Sequence, residues 1–317
     1  MFKLTAAQIA GFADCRAAYL PSEIGAGPAF RPAVEQHVAA LVRLTEPEVC
    51  ASRRAHFKAE LSADAFRERV LMQDGARVVV GGIRFRNLDP GFPFVEVNAN
   101  FDLFAPDATV QLAQAAWQQF GAFEPQGILA TGPPRVGLPD AVEPWAHTLA
   151  GPTWTHRQFP LRDGLICSFP SSVDFYDPYR RAYADWQASS PRLRRFVRTE
   201  SRKDLEASAA EGLLASFADA QGWCGVVAAS EEAFYGTPAL YIFEIFLVER
   251  WRGKGAAAGI DAALLARIAA RSSLVWERIH AENTPSLRVA LERGRAILET
   301  EYFFPYREDG RLQVGDA

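Results

Sequence analysis

The sequence predicts an α+β protein of two domains, each a mixed sheet flanked by helices. Three observations carry this expectation. The chain has 317 residues, 49% of them hydrophobic, which is more than one average domain and enough to build two cores. Segments with an apolar period of two alternate with segments of helical period. One order of elements occurs twice, on either side of a joint near residues 163–190 that contains Pro170, Ser171, Ser172 and Pro178.

In the first half, residues 33–44 place Val34, Val38, Leu41 and Val42 at helical spacing. Residues 62–72 read as a second helix, with Ser62 as N-cap and Phe66, Val70 and Leu71 inward. Residues 76–85, rich in Val, read as a strand, 87–91 as a turn, and 94–104 as a second strand. A helix over 108–120, a strand over 127–130, a short helix over 139–149 and a strand over 154–161 complete the half. The second half repeats the order. It runs through a strand over 192–198, a helix over 202–218, and strands over 223–230 and 239–248. A helix over 255–270, a strand over 274–280, a helix over 285–293 and a strand over 297–304 follow. Between the halves, a helix carries Tyr179, Tyr183 and Trp186. The boundary is set at 168/169.

Charge and composition exclude several classes. Against 34 Lys plus Arg stand 38 Asp plus Glu, a net charge of -4, which does not suit a generally basic nucleic-acid binder. Cys15, Cys50, Cys167 and Cys224 are far apart, and no C-x-x-C pair exists, so buried reduced thiols are expected rather than a disulfide or zinc scaffold. His37, His56, His147, His156 and His280 are scattered and imply no metal. Gln8, Asp14 and Arg16 interrupt any leader-like apolar run, and no stretch reaches the ~20 apolar residues of a membrane span. A cytoplasmic protein with no membrane partner is the expectation.

The segment richest in chemistry begins with the apolar run 240–248. It continues as Glu249-Arg250-Trp251-Arg252-Gly253-Lys254-Gly255 and then an Ala-rich helix. Two glycines allow a ligand close to the backbone, and the unpaired first N–H groups of the helix favour an anion. Arg250, Arg252 and Lys254 add positive charge. A Walker loop fails because Gly255 follows Lys254 where Ser or Thr is needed. A dinucleotide fingerprint would use Gly253, Gly255 and Gly259 with Glu277, but the third glycine is one place late. A coenzyme A pyrophosphate loop is the third reading.

Arg250-Trp251-Arg252-Gly253-Lys254-Gly255 resembles the [QR]-x-x-G-x-[GA] loop of the GNAT N-acetyltransferase superfamily, and the 283–294 segment, from Asn283 to Gly294, resembles its second motif. The resemblance covers the second half by motif and the first half by element order alone. It implies two acyl-CoA N-acyltransferase domains, each a mixed, mainly antiparallel twisted sheet. Residues 1–168 form a degenerate domain without a donor loop, and 169–317 carry the acetyl-CoA site. It also implies that Phe246, Leu247 and Val248 pair with pantetheine and that the amides of Arg252, Gly253, Lys254, Gly255 and Ala256 hold the pyrophosphate. Asn283 and Ser286 would lie along the pantetheine arm; a plain helix cap is the other reading of Asn283. Acetyl-CoA would serve as donor substrate, with no metal.

The expected reaction is direct attack by a primary amine of a small molecule or peptide, in a monomer or homodimer. Glu244, a charge inside an apolar strand, is the expected base, as in polyamine acetyltransferases, which are similar in having an acid at this point. The family tyrosine that protonates the leaving thiolate is matched here by Ala290, so Tyr302 is the candidate substitute, with a core tyrosine as the alternative. His280 is a weaker candidate relay. A basic run, Arg192, Arg194, Arg195, Arg198, Arg202 and Lys203, reads as the wet face of an edge strand. Two rival functions stay open: a non-catalytic acyl-CoA-binding regulatory protein and a dinucleotide-binding oxidoreductase.

Overall fold

The computed structural model describes residues 2–104, 106–138, 141–194, 196–307 and 309–313. The helices are α1 Ala6–Ala17, α2 Ser22–Gly25, α3 Phe30–Arg43, α4 Pro47–Phe57, α5 Pro106–Phe120, α6 Tyr176–Ser189, α7 Pro191–Arg194, α8 Arg202–Ala210, α9 Ala256–Ile268 and α10 Thr284–Glu292. The strands are β1 Arg69–Asp74, β2 Arg77–Phe85, β3 Pro93–Ala99, β4 Gly127–Gly132, β5 Glu143–Pro152, β6 Ile166–Ser168, β7 Leu214–Asp219, β8 Gly222–Glu231, β9 Leu240–Leu247, β10 Leu274–His280 and β11 Ala296–Pro305.

Two compact units form, and neither is continuous in sequence. Unit 1 holds the residues up to Trp145, Tyr235–Thr237 and the segment from Leu298 onward; unit 2 holds Ala146–Phe234 and Pro238–Ile297. Sequence order and compact unit therefore differ at the strands that close each sheet. In unit 1 the strand order is β1-β2-β3-β4-β11, antiparallel except for the parallel pair β3 and β4. In unit 2 it is β6-β7-β8-β9-β10-β5, antiparallel except for β9 and β10. The order β7-β8-β9-β10-β5 of unit 2 thus repeats β1-β2-β3-β4-β11 of unit 1, with β6 added at its edge, and each unit takes its last strand from the other half of the sequence.

Unit 1 packs Val79, Ile83, Val95 and Val97 from its strands against Leu112, Ala116 and Phe120 of α5. Its α1 starts with a capping box, in which Thr5 and Gln8 exchange side-chain-to-backbone bonds. In unit 2, α9 is buried almost all round and packs Ile260, Leu264 and Leu265 against one sheet face. On the other face, Tyr179 and Tyr183 of α6 and Leu205 of α8 meet Val226, Ala228 and Phe246.

Five sequence expectations change. Residues 62–72 are a one-turn 3-10 segment, Ala63–Phe66, followed by β1, which pairs with β2. The segment expected as a helix over 139–149 becomes β5, whose ladder with β10 links residues more than 120 positions apart; residues 139 and 140 lie outside the described residues. The strand expected over 154–161 is a 3-10 turn, Thr153–Gln158. The helix expected over 202–218 ends at Ala210, and Leu214–Asp219 is β7. The run 192–198, expected as a strand, opens as the short helix α7; Arg195 lies outside the described residues. Among the described residues no helix is long and apolar enough to cross a membrane.

Candidate active site

The strand–loop–helix segment of unit 2 has the shape its sequence implies. After β9 the chain makes a 3-10 turn, Glu249–Trp251, and enters α9 through Gly253 and Gly255, both at φ +69°. That left-handed conformation costs an L-residue about 1–2 kcal/mol and costs glycine almost nothing. Gly255 is the N-cap of α9 and supplies no side-chain cap, so its own side chain takes none of the first-turn N–H groups. A Cβ on Gly253 would meet nothing within 4 Å, so the loop's approach is open there.

The three loop cations divide by role. Arg250 forks onto Asp219, with Nε–Oδ2 at 2.8 Å and Nη2–Oδ1 at 3.0 Å, and Trp251 donates to the same carboxylate at 2.6 Å. These donors hold the Asp219 carboxyl well below its ordinary range. Arg250 is therefore a strut for the turn. Arg252 turns inward, donating from Nε to the Leu247 carbonyl at 2.7 Å, with its guanidinium 5.0 Å from the Trp186 ring and 4.9 Å from that of Phe246. Lys254 is exposed, its Nζ 5.7 Å from the Trp251 ring. A further cation, not singled out by the sequence reading, is Arg162: its Nη2 lies 2.8 Å from where a Gly255 Cβ would stand. Lys254 and Arg162 are thus the exposed cations at this loop.

β9 pairs with β10 only at Leu240–Val275 and Tyr241–Trp276, so the two strands part beyond Tyr241. On its other edge β9 stays paired with β8 to Leu247, and the Val248 amide donates to Cys224 at 3.0 Å. Antiparallel alternation then assigns the backbone groups of Phe246 and Val248 to β8 and turns those of Ile245 and Leu247 toward the gap. The Arg252 bond to the Leu247 carbonyl agrees with that direction. Of the three residues expected to meet pantetheine, Leu247 alone has its backbone groups on the gap side.

Glu244 sits beside a bulge. The register passes from Ala228–Glu244 to Ala229–Ile242, which leaves Phe243 unmatched. Ile242 packs with the α9 cluster, whereas Phe243 and Phe246 pack with the α6 cluster. The extra residue thereby turns Glu244 to the α6 face, where only 8% of it is exposed. There the Tyr179 hydroxyl donates to Oε2 at 2.5 Å and accepts from the Glu200 amide at 2.9 Å. Tyr176 donates to the Glu200 carbonyl at 3.2 Å. Burial pushes the Glu244 carboxyl up to about 8; the Tyr179 bond opposes that shift and nearby Glu200 adds to it.

The remaining expected residues fall as follows. Asn283 is the N-cap of α10 but makes no side-chain capping bond, which removes the plain-cap reading, and Ser286 is half-buried in the first turn. Ala290 is 1% exposed and packs against Leu149 and Ile279, so no hydroxyl stands at the family tyrosine's position. Tyr302 belongs to the core of unit 1, where its hydroxyl donates to the Pro133 carbonyl at 2.9 Å and its ring meets Phe104 edge-on at 4.9 Å. The Tyr302 proton is thereby given to a backbone acceptor. His280 stacks on Phe196 with ring centroids 3.6 Å apart. Glu277, weighed as a ribose contact, is buried and bonded to Arg295. That pair joins Asp261 and Arg293 in a buried network holding α9 to the turn after α10. Among the described residues no group of three or more His, Cys, Asp or Glu is arranged to hold a metal ion.

No protein-family model matches the chain, and no curated protein matches it. Among solved structures it is similar to a GCN5-related N-acetyltransferase from Sphaerobacter thermophilus (13% identity, 83% of this chain and 90% of that one, TM-score 0.44). It is also similar to a GNAT-family acetyltransferase from Colwellia psychrerythraea (10%, 82% and 96%, TM-score 0.46). A third is a tandem GNAT protein from the clavulanic acid biosynthesis pathway (13%, 73% and 80%, TM-score 0.41). Likenesses at this level carry no functional argument, so the functional reading rests on this chain's own residues.

Proposed function

We propose that the protein is an N-acetyltransferase of GNAT type. It moves an acetyl group from acetyl-CoA to a primary amine of a small molecule or peptide, at a single site in unit 2. The observation that carries this reading is one continuous segment. Within it a buried carboxylate, a parted strand edge and an uncapped helix N-terminus behind two left-handed glycines follow one another. The α9 amides with Lys254 and Arg162 suit a pyrophosphate. On the gap side the Leu247 amide and the Ile245 carbonyl suit the amides of pantetheine, the Leu247 carbonyl being held by Arg252, and Asn283 and Ser286 border the arm. In the first half β3 leads into α5 with no glycine pair between them, which supports a degenerate domain without a donor loop.

In this mechanism acetyl-CoA supplies the activated acyl group. Glu244 takes a proton from the ammonium or amine nitrogen, and the nitrogen attacks the thioester carbon directly. Backbone N–H groups at the parted edge polarise the carbonyl. With Ala290 apolar and Tyr302 committed elsewhere, the departing thiolate is protonated by water. The same two observations favour a second reading, a non-catalytic acyl-CoA-binding regulator. The dinucleotide-binding reading is not supported, because a doubly wound fold needs a parallel sheet and unit 2 has one parallel pair.

Thermal unfolding with acetyl-CoA, coenzyme A and NAD tests the donor. The first two should raise the transition temperature and NAD should not. Thiol release over an amine panel then separates enzyme from regulator; release at background for every amine, with donor binding intact, leaves the regulator. Gly255→Glu should abolish the stabilisation by coenzyme A, and unchanged stabilisation would refute the loop assignment.

A further inference from the structure

The α6 face of unit 2 holds a feature that the acyl-transfer reading alone does not require. Tyr179 is fully buried, and its hydroxyl stands between two groups of fixed hydrogen-bond sense. The Glu200 amide can only donate, so the phenol oxygen accepts there. Its single proton is then directed at Glu244 Oε2, 2.5 Å away. The Glu200 peptide is itself fixed from the same helix, because Tyr176 donates to its carbonyl. Tyr176 and Tyr179 lie three positions apart on α6 and so hold the two peptide groups that flank Glu200, one through its amide and one through its carbonyl.

We propose that Tyr179 is a positioning residue that holds Glu244 through Oε2, keeps it a hydrogen-bond acceptor, and leaves Oε1 as the atom that takes the amine proton. This rests on the reading of Glu244 as the base. The proton balance is simple: one N–H bond of the amine breaks, one O–H bond forms at Oε1, and the Tyr179 proton stays on its own oxygen. Several other groups face Glu244 from the elements around it. The Ile245 amide on its own strand favours the carboxylate, whereas the Glu200 carboxyl, on the segment before α8, opposes it. Tyr183 on α6 also feels the Glu244 charge, and Arg252, which follows β9, acts on Tyr183 in the opposite sense. Glu200 is in turn influenced by Asp204 and Arg198. Of the side chains of the described residues that face Glu244, Tyr179 is the one with a hydrogen bond to its carboxylate.

Tyr179→Phe keeps the ring and deletes the hydroxyl. Titration of the Glu244 side-chain carbon in protein labelled with 13C at glutamate Cδ needs no acceptor and reads the effect directly. Loss of a bond made to the ionised form should raise the midpoint by half a unit or more in Tyr179→Phe. An unchanged or lower midpoint would overturn the proposal. Thiol release from acetyl-CoA, with tyramine and spermidine as probe amines, separates this from the base assignment. Glu244→Gln should lose at least tenfold in kcat/KM, and a full rate in that variant refutes Glu244 as base. If Glu244→Gln is impaired while the acid limb of Tyr179→Phe overlays that of the wild type, the base assignment stands and the positioning role fails. If Tyr179→Phe unfolds, Glu200→Ala, which keeps the amide but removes the opposing carboxyl, supplies the titration. Its Glu244 midpoint should fall, and a rise would overturn the assignment of charges around this pair.

Discussion

Arg293 and Asp261 meet at 2.8 Å with both side chains fully buried. Asp261 Oδ2 also accepts from Arg295 at 2.8 Å, and Arg295 reaches Glu277, so two cations and two anions form a closed set. Such a set adds little over a well-packed apolar core, but removing one member leaves uncompensated charge. Asp261→Ala should therefore cost about 3–5 kcal/mol, read as a lower midpoint in urea. A loss below ~1 kcal/mol would mean that water reaches the site.

Gly82 faces a carboxylate. A Cβ there would stand 2.0 Å from Glu68 Oε1, and Glu68 is 1% exposed and held by Arg84 at 2.6 Å. The carboxylate cannot move without breaking that pair. Gly82→Ala should destabilise unit 1 by about 3 kcal/mol or more. Calorimetry should show it, with stabilisation by coenzyme A unaffected.

Glu244 makes stability depend on pH with a definite sign. Its folded value, about 8, lies above the ordinary 4.5, so between those values the folded protein binds the extra proton. The stability it contributes is complete below about 4.5 and is lost as pH rises through about 8, at up to ~1.4 kcal/mol per unit. Glu244→Gln should flatten this decline. Urea unfolding at pH 5 and pH 9 measures it, and equal slopes in the two proteins would refute it.

Much of the fold was legible because its signals are local. The Val-rich run 76–85, the apolar run 239–248 and the glycines before α9 mark elements that form beside their sequence neighbours. What was misread depends on distant partners. Phe66, Val70 and Leu71 fit a helical spacing, yet Arg69–Asp74 is held as a strand by β2. The β5 segment finds its ladder in β10, far along the chain. At the site, Glu244 was legible as a charge in an apolar strand, and Tyr179 as part of an aromatic stripe. Their bond depends on the bulge at Phe243, which leaves no mark on the periodicity of β9. Glu277 entered the sequence reading only as part of a dinucleotide fingerprint, because its partner Arg295 lies 18 residues away in the turn after α10.

Tyr302→Phe separates core from catalysis. Its hydroxyl bonds the Pro133 carbonyl, so its loss should cost about 0.5–1.5 kcal/mol. Thiol release should remain within twofold of the wild-type rate. A loss of tenfold or more would return Tyr302 to the catalytic machinery.

The two loop glycines should respond differently to alanine. Each pays the left-handed cost of about 1–2 kcal/mol, but a Cβ at 253 meets open space whereas one at 255 displaces Arg162. Gly255→Ala should therefore weaken coenzyme A binding more than Gly253→Ala. Isothermal titration measures both; equal losses would assign the effect to backbone strain alone.

The exchange of closing strands carries a consequence for biosynthesis. Unit 1 begins near the N-terminus, yet its sheet stays open at the β4 edge until Leu298 and the residues after it have been made. At ribosomal speeds of roughly 5–20 residues per second, that edge waits on the order of ten seconds or more after β4 emerges. The nascent chain must carry a bare ladder through that interval, exposed to pairing with a neighbouring chain on the same message. Pausing, chaperone occupancy or a slow codon between residues 132 and 298 would therefore act on yield through the lifetime of this open edge.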